Sequence, residues 1–349
     1  MNNTNTLQET KSRESGLDII RALASLFVVS AHFYLNIGYY NTPLIGTKMF
    51  IMTACRWLFV TSIPMFFMLT GYFKSNKTLS KSHYKALIPL LFSYIVISVI
   101  KMLIYNRIYG KIYTVGGMLK NLGNYEIAWY MGMYLVISLL IPFLNKLWKA
   151  LESQKEKSAL LVTLLFICAI YPVFHYVAPS FLIGLYPVMY YYIGTYIKEY
   201  KPEINKWLLL IIIGLFTIAQ AVISVKLTPT SLFDWTIIST ADGGFGSILL
   251  CVPAVCIFLL IYRLKIKSQM LCKLVAAISK VSFEIYLIAG IFDAVIYTYL
   301  KKSIFTALDF FPYFFVTVPI SFIGAFLVAT VFTKLRDILL NKIYHIIGN

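Results

Sequence analysis

Long apolar runs alternate with short polar segments along almost the whole chain. Each run is about 20 residues long, the length that crosses the hydrocarbon core of a bilayer as an α-helix. A transmembrane β-barrel would instead show short segments of alternating polarity. The pattern therefore predicts an all-α fold, a polytopic membrane helical bundle of about ten transmembrane helices. The predicted spans are 16–37, 48–73, 86–105, 125–147, 158–177, 179–197, 207–225, 244–262, 281–300 and 312–333.

The polar segments between the spans are too short to enclose a hydrophobic core of their own. The sequence therefore predicts one membrane domain at 16–333, between cytoplasmic tails at 1–15 and 334–349. The spans 158–177 and 179–197 are the least regular, because prolines within them are expected to kink or break the helices. These prolines are Pro172, Pro179 and Pro187.

The composition agrees with a membrane protein. Hydrophobic residues make up 60% of the chain, charged residues only 13%, and the mean hydropathy is +0.78. A soluble chain carries about 25% charged residues. The five cysteines show no Cys-x-x-Cys spacing. We therefore expect buried free thiols and predict no metal site.

A net charge of +17 could indicate nucleic-acid binding, but the distribution of the charge along the chain argues against it. If the N-terminus is cytoplasmic, 21 of the 31 lysines and arginines fall in inner segments and seven in outer segments. This asymmetry is typical of the positive-inside rule, so both termini are predicted to be cytoplasmic. Anionic lipid is the expected partner of the basic residues, and nucleic acid is not.

The first predicted span carries a stripe of polar residues. Arg21 and His32 lie eleven residues apart. Eleven steps of about 100° come to three turns plus roughly 20°, so both side chains leave the same face of a helix. The rise per residue separates them by roughly 16 Å, about half the thickness of a bilayer core. Asp18, Ser25 and Asn36 fall on the same face. Ionisable groups in a span suggest a functional site, because they are costly in hydrocarbon.

Each of these residues also has a purely structural interpretation. Arg21 could extend its guanidinium to the headgroups, or Asp18 could neutralise it. His32 could be a neutral histidine that forms a hydrogen bond to a neighbouring helix. The aligned pair favours function, since an imidazole titrates near neutral pH and is suited to general-base chemistry.

Other polar residues in or near the spans receive separate predictions. Lys101, near the outer end of its span, is expected to reach the membrane surface. Asp293 lies near the middle of the ninth span and is expected either to orient His32 or to pair with Arg56. His83 is expected to be solvated, and so is His345.

Several segments together resemble the acyltransferase-3 family of integral membrane acyltransferases. The Arg-x10-His pair of the first span carries the most specific part of the resemblance. Relatives often have a histidine after a late Tyr-Leu pair, whereas Ile288, Ala289 and Gly290 follow it here. The similar segments, in chain order, are 65–73 (MFFMLTGYF), 81–89 (KSHYKALIP), 128–142 (AWYMGMYLVISLLIP) and 282–293 (SFEIYLIAGIFD).

The resemblance implies transfer of an acyl group from cytoplasmic acyl-coenzyme A to a hydroxyl of a cell-surface glycan. Acetyl-coenzyme A is the expected donor, and a polysaccharide or its lipid-linked precursor is the expected acceptor. Arg21 would then bind the coenzyme A phosphates, because its planar fork matches them. Lys81 and Lys85 would add to the positive field.

On the same hypothesis, His32 takes the proton from the acceptor hydroxyl. Arg56 is a candidate donor to the developing oxyanion, or a structural partner of a buried carboxylate. Trp129, Tyr130 and Glu126 are the candidate residues for the acceptor sugar. Aromatic residues at membrane interfaces also occur without such a role.

Two other functions stay open at this stage. A transporter or flippase for a small metabolite or glycan would use the polar face of the first helix as its path. A membrane-embedded sensor or assembly partner would need no catalysis. The sequence does not predict an oligomeric state.

Overall fold

The structure, a computed structural model, describes residues 15–170, 184–227 and 245–347. Every regular element in these ranges is helical, which confirms the all-α prediction. The helices are α1 (Ser15–Asn36), α2 (Thr47–Val60), α3 (Ser62–Lys74), α4 (Lys81–Lys85), α5 (Ile88–Tyr109), α6 (Val115–Gly123), α7 (Trp129–Ala150), α8 (Gln154–Leu165), α9 (Tyr186–Tyr200), α10 (Lys206–Leu227), α11 (Ile248–Ile261), α12 (Gln269–Lys280), α13 (Ser282–Leu300), α14 (Ala307–Phe310) and α15 (Phe314–Ile347).

Seven helical segments in the described residues are long and apolar enough to cross a membrane. The described parts of the predicted spans 158–177, 179–197 and 244–262 overlap the shorter helices α8, α9 and α11. Pro172 and Pro179 lie outside the described residues. Pro187 stands in the first turn of α9, where its missing N–H leaves no helical bond unmade, so it begins that helix rather than breaking it. The seven spanning segments are Ser15–Asn41, Thr47–Lys74, Lys81–Tyr109, Trp129–Ala150, Lys206–Lys226, Ser282–Leu300 and Ala307–Ile346.

Helix α1 lies between two hydrophobic clusters. Its Ile20 and Ala24 pack into one cluster, which is built largely from α3, α9 and α11. Its Val29 and Phe33 pack into the other, which is built largely from α2, α13 and α15. The apolar sides of α1 therefore pack against both hydrophobic clusters. The polar face of α1 lies between the two clusters.

Helices α3 and α9 approach each other closely at two glycines. A Cβ built on Gly71 would lie 1.9 Å from the carbonyl oxygen of Tyr191. A Cβ built on Gly194 would lie 1.9 Å from the carbonyl oxygen of Met68. Small residues allow such close helix packing inside membranes. The glycine of segment 65–73 is therefore explained by packing.

The outer faces of the long helices expose large apolar side chains. On α10, Ile211 and Leu215 are 58% and 62% exposed, and on α15, Ile323 and Leu327 are 55% and 59% exposed. A soluble monomer rarely exposes contiguous apolar surface on this scale. These faces are suited to contact with lipid.

A buried ion pair fastens the last helix to the bundle. Arg336 on α15 pairs with Glu284 on α13, and Ser93 on α5 donates to Glu284 Oε1 at 3.0 Å. Arg336 Nη1 also donates to Ser93 Oγ at 2.8 Å. Helix α15 is continuous through 334, where the C-terminal tail was predicted to begin.

We expect Arg336→Met to destabilise the protein by about 3–5 kcal/mol, because it leaves the Glu284 carboxylate buried without its charge partner. Thermal unfolding in detergent measures the change. The exposed neighbour Lys334→Met should have little effect. Adding Glu284→Gln to Arg336→Met should restore much of the loss. Equal stability of Arg336→Met and Lys334→Met would show that the pair contributes nothing.

The prediction for His83 is wrong. Its side chain is buried, and Nε2 donates to the carbonyl oxygen of Ser138 at 2.8 Å. The short helix α4 folds back against α7, which the polar sequence around His83 does not reveal. His345 is exposed, as predicted.

Candidate active site along the first helix

One cavity surrounds Arg21. It measures about 230 Å³ and is lined by cationic and aromatic side chains, among them Arg21, Lys74, Lys280, Tyr134 and Phe283. We call it the Arg21 cavity. Three basic side chains at one cavity produce a positive field suited to a phosphate-bearing ligand.

The Arg21 guanidinium is held by the protein. Nη1 donates to Ser279 Oγ at 3.1 Å, and the guanidinium carbon lies 4.8 Å from the ring centre of Phe73. Ser279 lies on α12 and Phe73 on α3, so neighbours on two other helices fix the orientation of the group. Lys74 Nζ donates to Tyr134 OH at 3.1 Å on the same cavity.

A second cavity, the Arg56 cavity, measures about 420 Å³. His32, Arg56, Ser62 and Trp129 contribute to its lining. Arg56 is 1% exposed, and its Nε donates to Tyr40 OH at 3.2 Å. Its guanidinium carbon lies 4.2 Å from the ring centre of Trp57. These contacts orient a buried cation at the edge of the cavity.

A third cavity, the Lys101 cavity, measures about 240 Å³. Its lining includes His32, Asn36, Lys101, Tyr105 and Asp293. The prediction that Lys101 reaches the membrane surface is therefore wrong. The side chain turns inward because Gly290, on α13, leaves room for it: a Cβ there would lie 2.5 Å from Lys101 Nζ.

His32 lies where the second and third cavities meet, and its side chain is 24% exposed. Its Nδ1 lies 3.8 Å from Asp293 Oδ2, slightly beyond hydrogen-bond distance. Ser321 donates to the other carboxylate oxygen of Asp293 at 2.7 Å. Of the two partners predicted for Asp293, the structure places it beside His32, whereas Arg56 contacts Tyr40 and Trp57.

One face of α13 serves all three cavities. Tyr286 lines each of them and thus lies between Arg21 and His32. Gly290 and Asp293 follow at four and seven positions further on, the spacing of a single helix face. The facing surfaces of α1 and α13 therefore contribute to each of the three cavities.

The comparison with known protein families shows which family the chain belongs to. Residues 14–330 match the family described as Acyltransferase domain. The chain belongs to this acyltransferase family. No curated protein and no solved structure matches it. The match spans nearly all of the described helices, so the helical bundle is the membrane acyltransferase domain itself.

The other predicted residues of this acyltransferase differ in location. Trp129 lines two of the cavities and stacks on Phe245 with ring centres 5.1 Å apart. Tyr130 is buried and lines the Arg21 cavity. Glu126, Lys81 and Lys85 are exposed, and none of them lines the three cavities.

The sequence did not indicate several of the residues that line the three cavities. Lys280 at the end of α12 lines the Arg21 cavity, where Lys81 and Lys85 were expected. Ser62 and Lys101 were not assigned to the site either. For Lys101 a signal existed, because it is one of three cations that lie away from the ends of the predicted spans, together with Arg21 and Arg56.

Proposed function

We propose that this membrane acyltransferase transfers an acetyl group from acetyl-coenzyme A to a hydroxyl of a cell-surface polysaccharide or its lipid-linked precursor. His32 is the general base. The observation that carries the proposal is the position of His32, at the junction of two cavities and beside the Asp293 carboxylate. A neutral histidine that only bridges helices needs neither an adjoining cavity nor a facing carboxylate.

The donor enters through the Arg21 cavity. Arg21, Lys74 and Lys280 bind the coenzyme A phosphates, and Arg21 supplies the planar fork that matches them. This end of the bundle is then cytoplasmic, in agreement with the positive-inside distribution. Helix α1 rises by roughly 16 Å from Arg21 to His32, the distance that the pantetheine arm has to cover.

The Arg56 cavity continues this route. Val28, Ile63 and Tyr286 line both it and the Arg21 cavity, so the two are separated by a single layer of side chains. The thioester therefore reaches His32 from the Arg56 side. On this route Arg56 donates to the oxyanion as it develops.

The reaction follows from this placement. The acceptor oxygen attacks the thioester carbonyl carbon, and His32 removes the hydroxyl proton. Since Asp293 faces Nδ1, Nε2 is the nitrogen that accepts it. The tetrahedral oxyanion collapses, the carbon–sulfur bond breaks, and the coenzyme A thiolate leaves and takes up a proton. An O-acetyl ester and free coenzyme A result.

Arg21→Lys tests the donor site. The lysine keeps the charge but loses the bidentate geometry, so we expect KM for acetyl-coenzyme A to rise about tenfold while kcat changes little. Radiolabelled acetyl transfer by membranes that contain the chain measures both constants. Arg107→Lys, at an exposed arginine, is the matched control. An unchanged KM would rule out a phosphate fork at Arg21.

The same assay separates the transporter alternative. A transferase consumes the thioester in proportion to ester formed, whereas a transporter or flippase moves its substrate and leaves acetyl-coenzyme A intact. Release of coenzyme A thiol, followed with a thiol reagent, gives the ratio directly. A ratio of ester to thiol near one supports transfer.

A further inference from the structure

The two cavities that meet at His32 have different linings. The Arg56 cavity shares Val28, Ile63 and Tyr286 with the Arg21 cavity, whereas the Lys101 cavity shares only Tyr286 with it. If the thioester arrives through the Arg56 cavity, the hydroxyl must approach His32 from another side. The Lys101 cavity is the space on that side, and its lining includes several hydrogen-bonding side chains.

Lys101 is a cation held within this space. It lies inside the spanning segment Lys81–Tyr109, where an ammonium is costly unless a ligand or partner uses it. Its Nζ lies 5.5 Å from the ring centre of Tyr105, whose hydroxyl donates to the Gly290 carbonyl at 3.2 Å. Gly290 and Tyr105 together hold the lysine in the cavity.

The Asp293 carboxylate attracts the Lys101 ammonium electrostatically but forms no close ion pair with it. Asp293 accepts from Ser321 with one oxygen and faces His32 with the other. Among the described residues, no carboxylate lies within 4 Å of Lys101 Nζ, the ion-pair criterion that His32 and Asp293 meet. The Asn36 amide nitrogen donates to the carbonyl oxygen of His32 at 2.8 Å, and the Asn36 side chain also lines the cavity.

We propose that the Lys101 cavity is the acceptor subsite and that Lys101 binds an anionic group of the acceptor. This inference rests on the proposed transfer to a sugar hydroxyl and names the class of that sugar. The anion is a carboxylate or a phosphate carried near the hydroxyl that is acylated. Three donor protons on the ammonium suit either group. Asp293 remains available to His32 while the acceptor anion lies at Lys101.

The test uses membranes from cells that express the chain, supplied with [14C]acetyl-coenzyme A. The labelled product is isolated, and mass spectrometry identifies the sugar that carries the ester. We expect that sugar, or the unit linked to it, to bear a carboxylate or a phosphate. Carbodiimide activation followed by borodeuteride reduction marks a uronic acid, and loss of the phosphate mass from the labelled sugar after phosphatase or hydrofluoric acid treatment marks a sugar phosphate. An ester on a wholly neutral glycan would overturn the proposal.

Substitutions test the lysine itself. Lys101→Met should lower labelling about tenfold through KM for the acceptor, the loss expected for one hydrogen bond to a charged group, with KM for acetyl-coenzyme A unchanged. Lys101→Arg should retain most activity. Lys301→Met, at an exposed lysine, is the matched control. Equal acceptor KM in Lys101→Met and Lys301→Met would contradict the proposal.

Two further variants distinguish a failure of the acceptor proposal from a failure of the proposed function. If Lys101→Met fails to fold, Gly290→Ala displaces the ammonium without removing it, and it should raise the acceptor KM in the same way. Labelling by membranes that contain the His32→Ala variant tests only the proposed function, not the acceptor subsite. If they label as strongly as the unmodified protein, general-base transfer fails whatever Lys101 does. If His32→Ala is inactive and both Lys101→Met and Gly290→Ala are normal, only the acceptor proposal fails.

Discussion

Replacement of His32 by alanine is expected to lower acetyl transfer by a factor of about 10²–10⁴, the contribution of a positioned general base. The imidazole lies at the junction of the Arg56 and Lys101 cavities, and its Nδ1 faces Asp293 at 3.8 Å. On the proposed function the donor phosphates bind at Arg21, so the loss should appear in kcat while KM for acetyl-coenzyme A stays close to normal. Initial rates of radiolabel transfer measure it.

Two comparisons sharpen this experiment. His345→Ala removes an exposed histidine near the end of α15 and should leave the rate unchanged. Asp293→Asn should lower kcat less than His32→Ala, because the imidazole remains and loses only its facing carboxylate. Full activity of His32→Ala, in protein that unfolds at the normal temperature, would refute the assignment of the base.

The second large effect concerns the contact between α3 and α9. Gly194→Ala places a methyl group 1.9 Å from the carbonyl oxygen of Met68, and backbone atoms cannot move aside as a flexible side chain can. We expect a loss of about 3 kcal/mol in the free energy of unfolding, the upper end of the usual cost of overpacking. Gly71→Ala should behave similarly, since its Cβ would meet the carbonyl oxygen of Tyr191.

Gly214→Ala supplies the control, because among the described residues no atom beyond the local backbone of α10 lies within 4 Å of the Cβ it would add. This change should be neutral or slightly stabilising, since alanine is favoured over glycine in a helix. Thermal unfolding in detergent compares the three variants. If Gly194→Ala and Gly214→Ala unfold at the same temperature, the close approach of α3 and α9 is not required for stability.

The sequence was sufficient for the fold class and for the polar face of α1. Apolar runs of bilayer length leave little choice of secondary structure, because only internally bonded helices satisfy the backbone in lipid. The eleven-residue spacing of Arg21 and His32 fixes a shared face, since helix geometry is regular. The sequence could not show which helices pack on that face, because contacts between residues far apart in the chain leave no local pattern in the sequence.

Lys101 and Gly290 illustrate this limit. Each has an ordinary local interpretation, the lysine as a surface anchor and the glycine as a small residue in a span. Only the packing of α5 against α13 shows that one makes room for the other. Arg336 is similar: it follows an apolar run as a tail residue would, yet it pairs with Glu284, more than 50 positions earlier.

The arrangement of α1, α5 and α13 bears on how such enzymes diversify. His32 and Asp293, the base and its carboxylate on the proposed function, come from α1 and α13, whereas Lys101 comes from α5. On the proposed function, sequence drift in α5 can alter which sugar is accepted without disturbing proton removal. Related chains with a different residue at the Lys101 position would then share one chemistry and modify different glycans, and exchange of α5 between them offers a direct route to redirecting the enzyme.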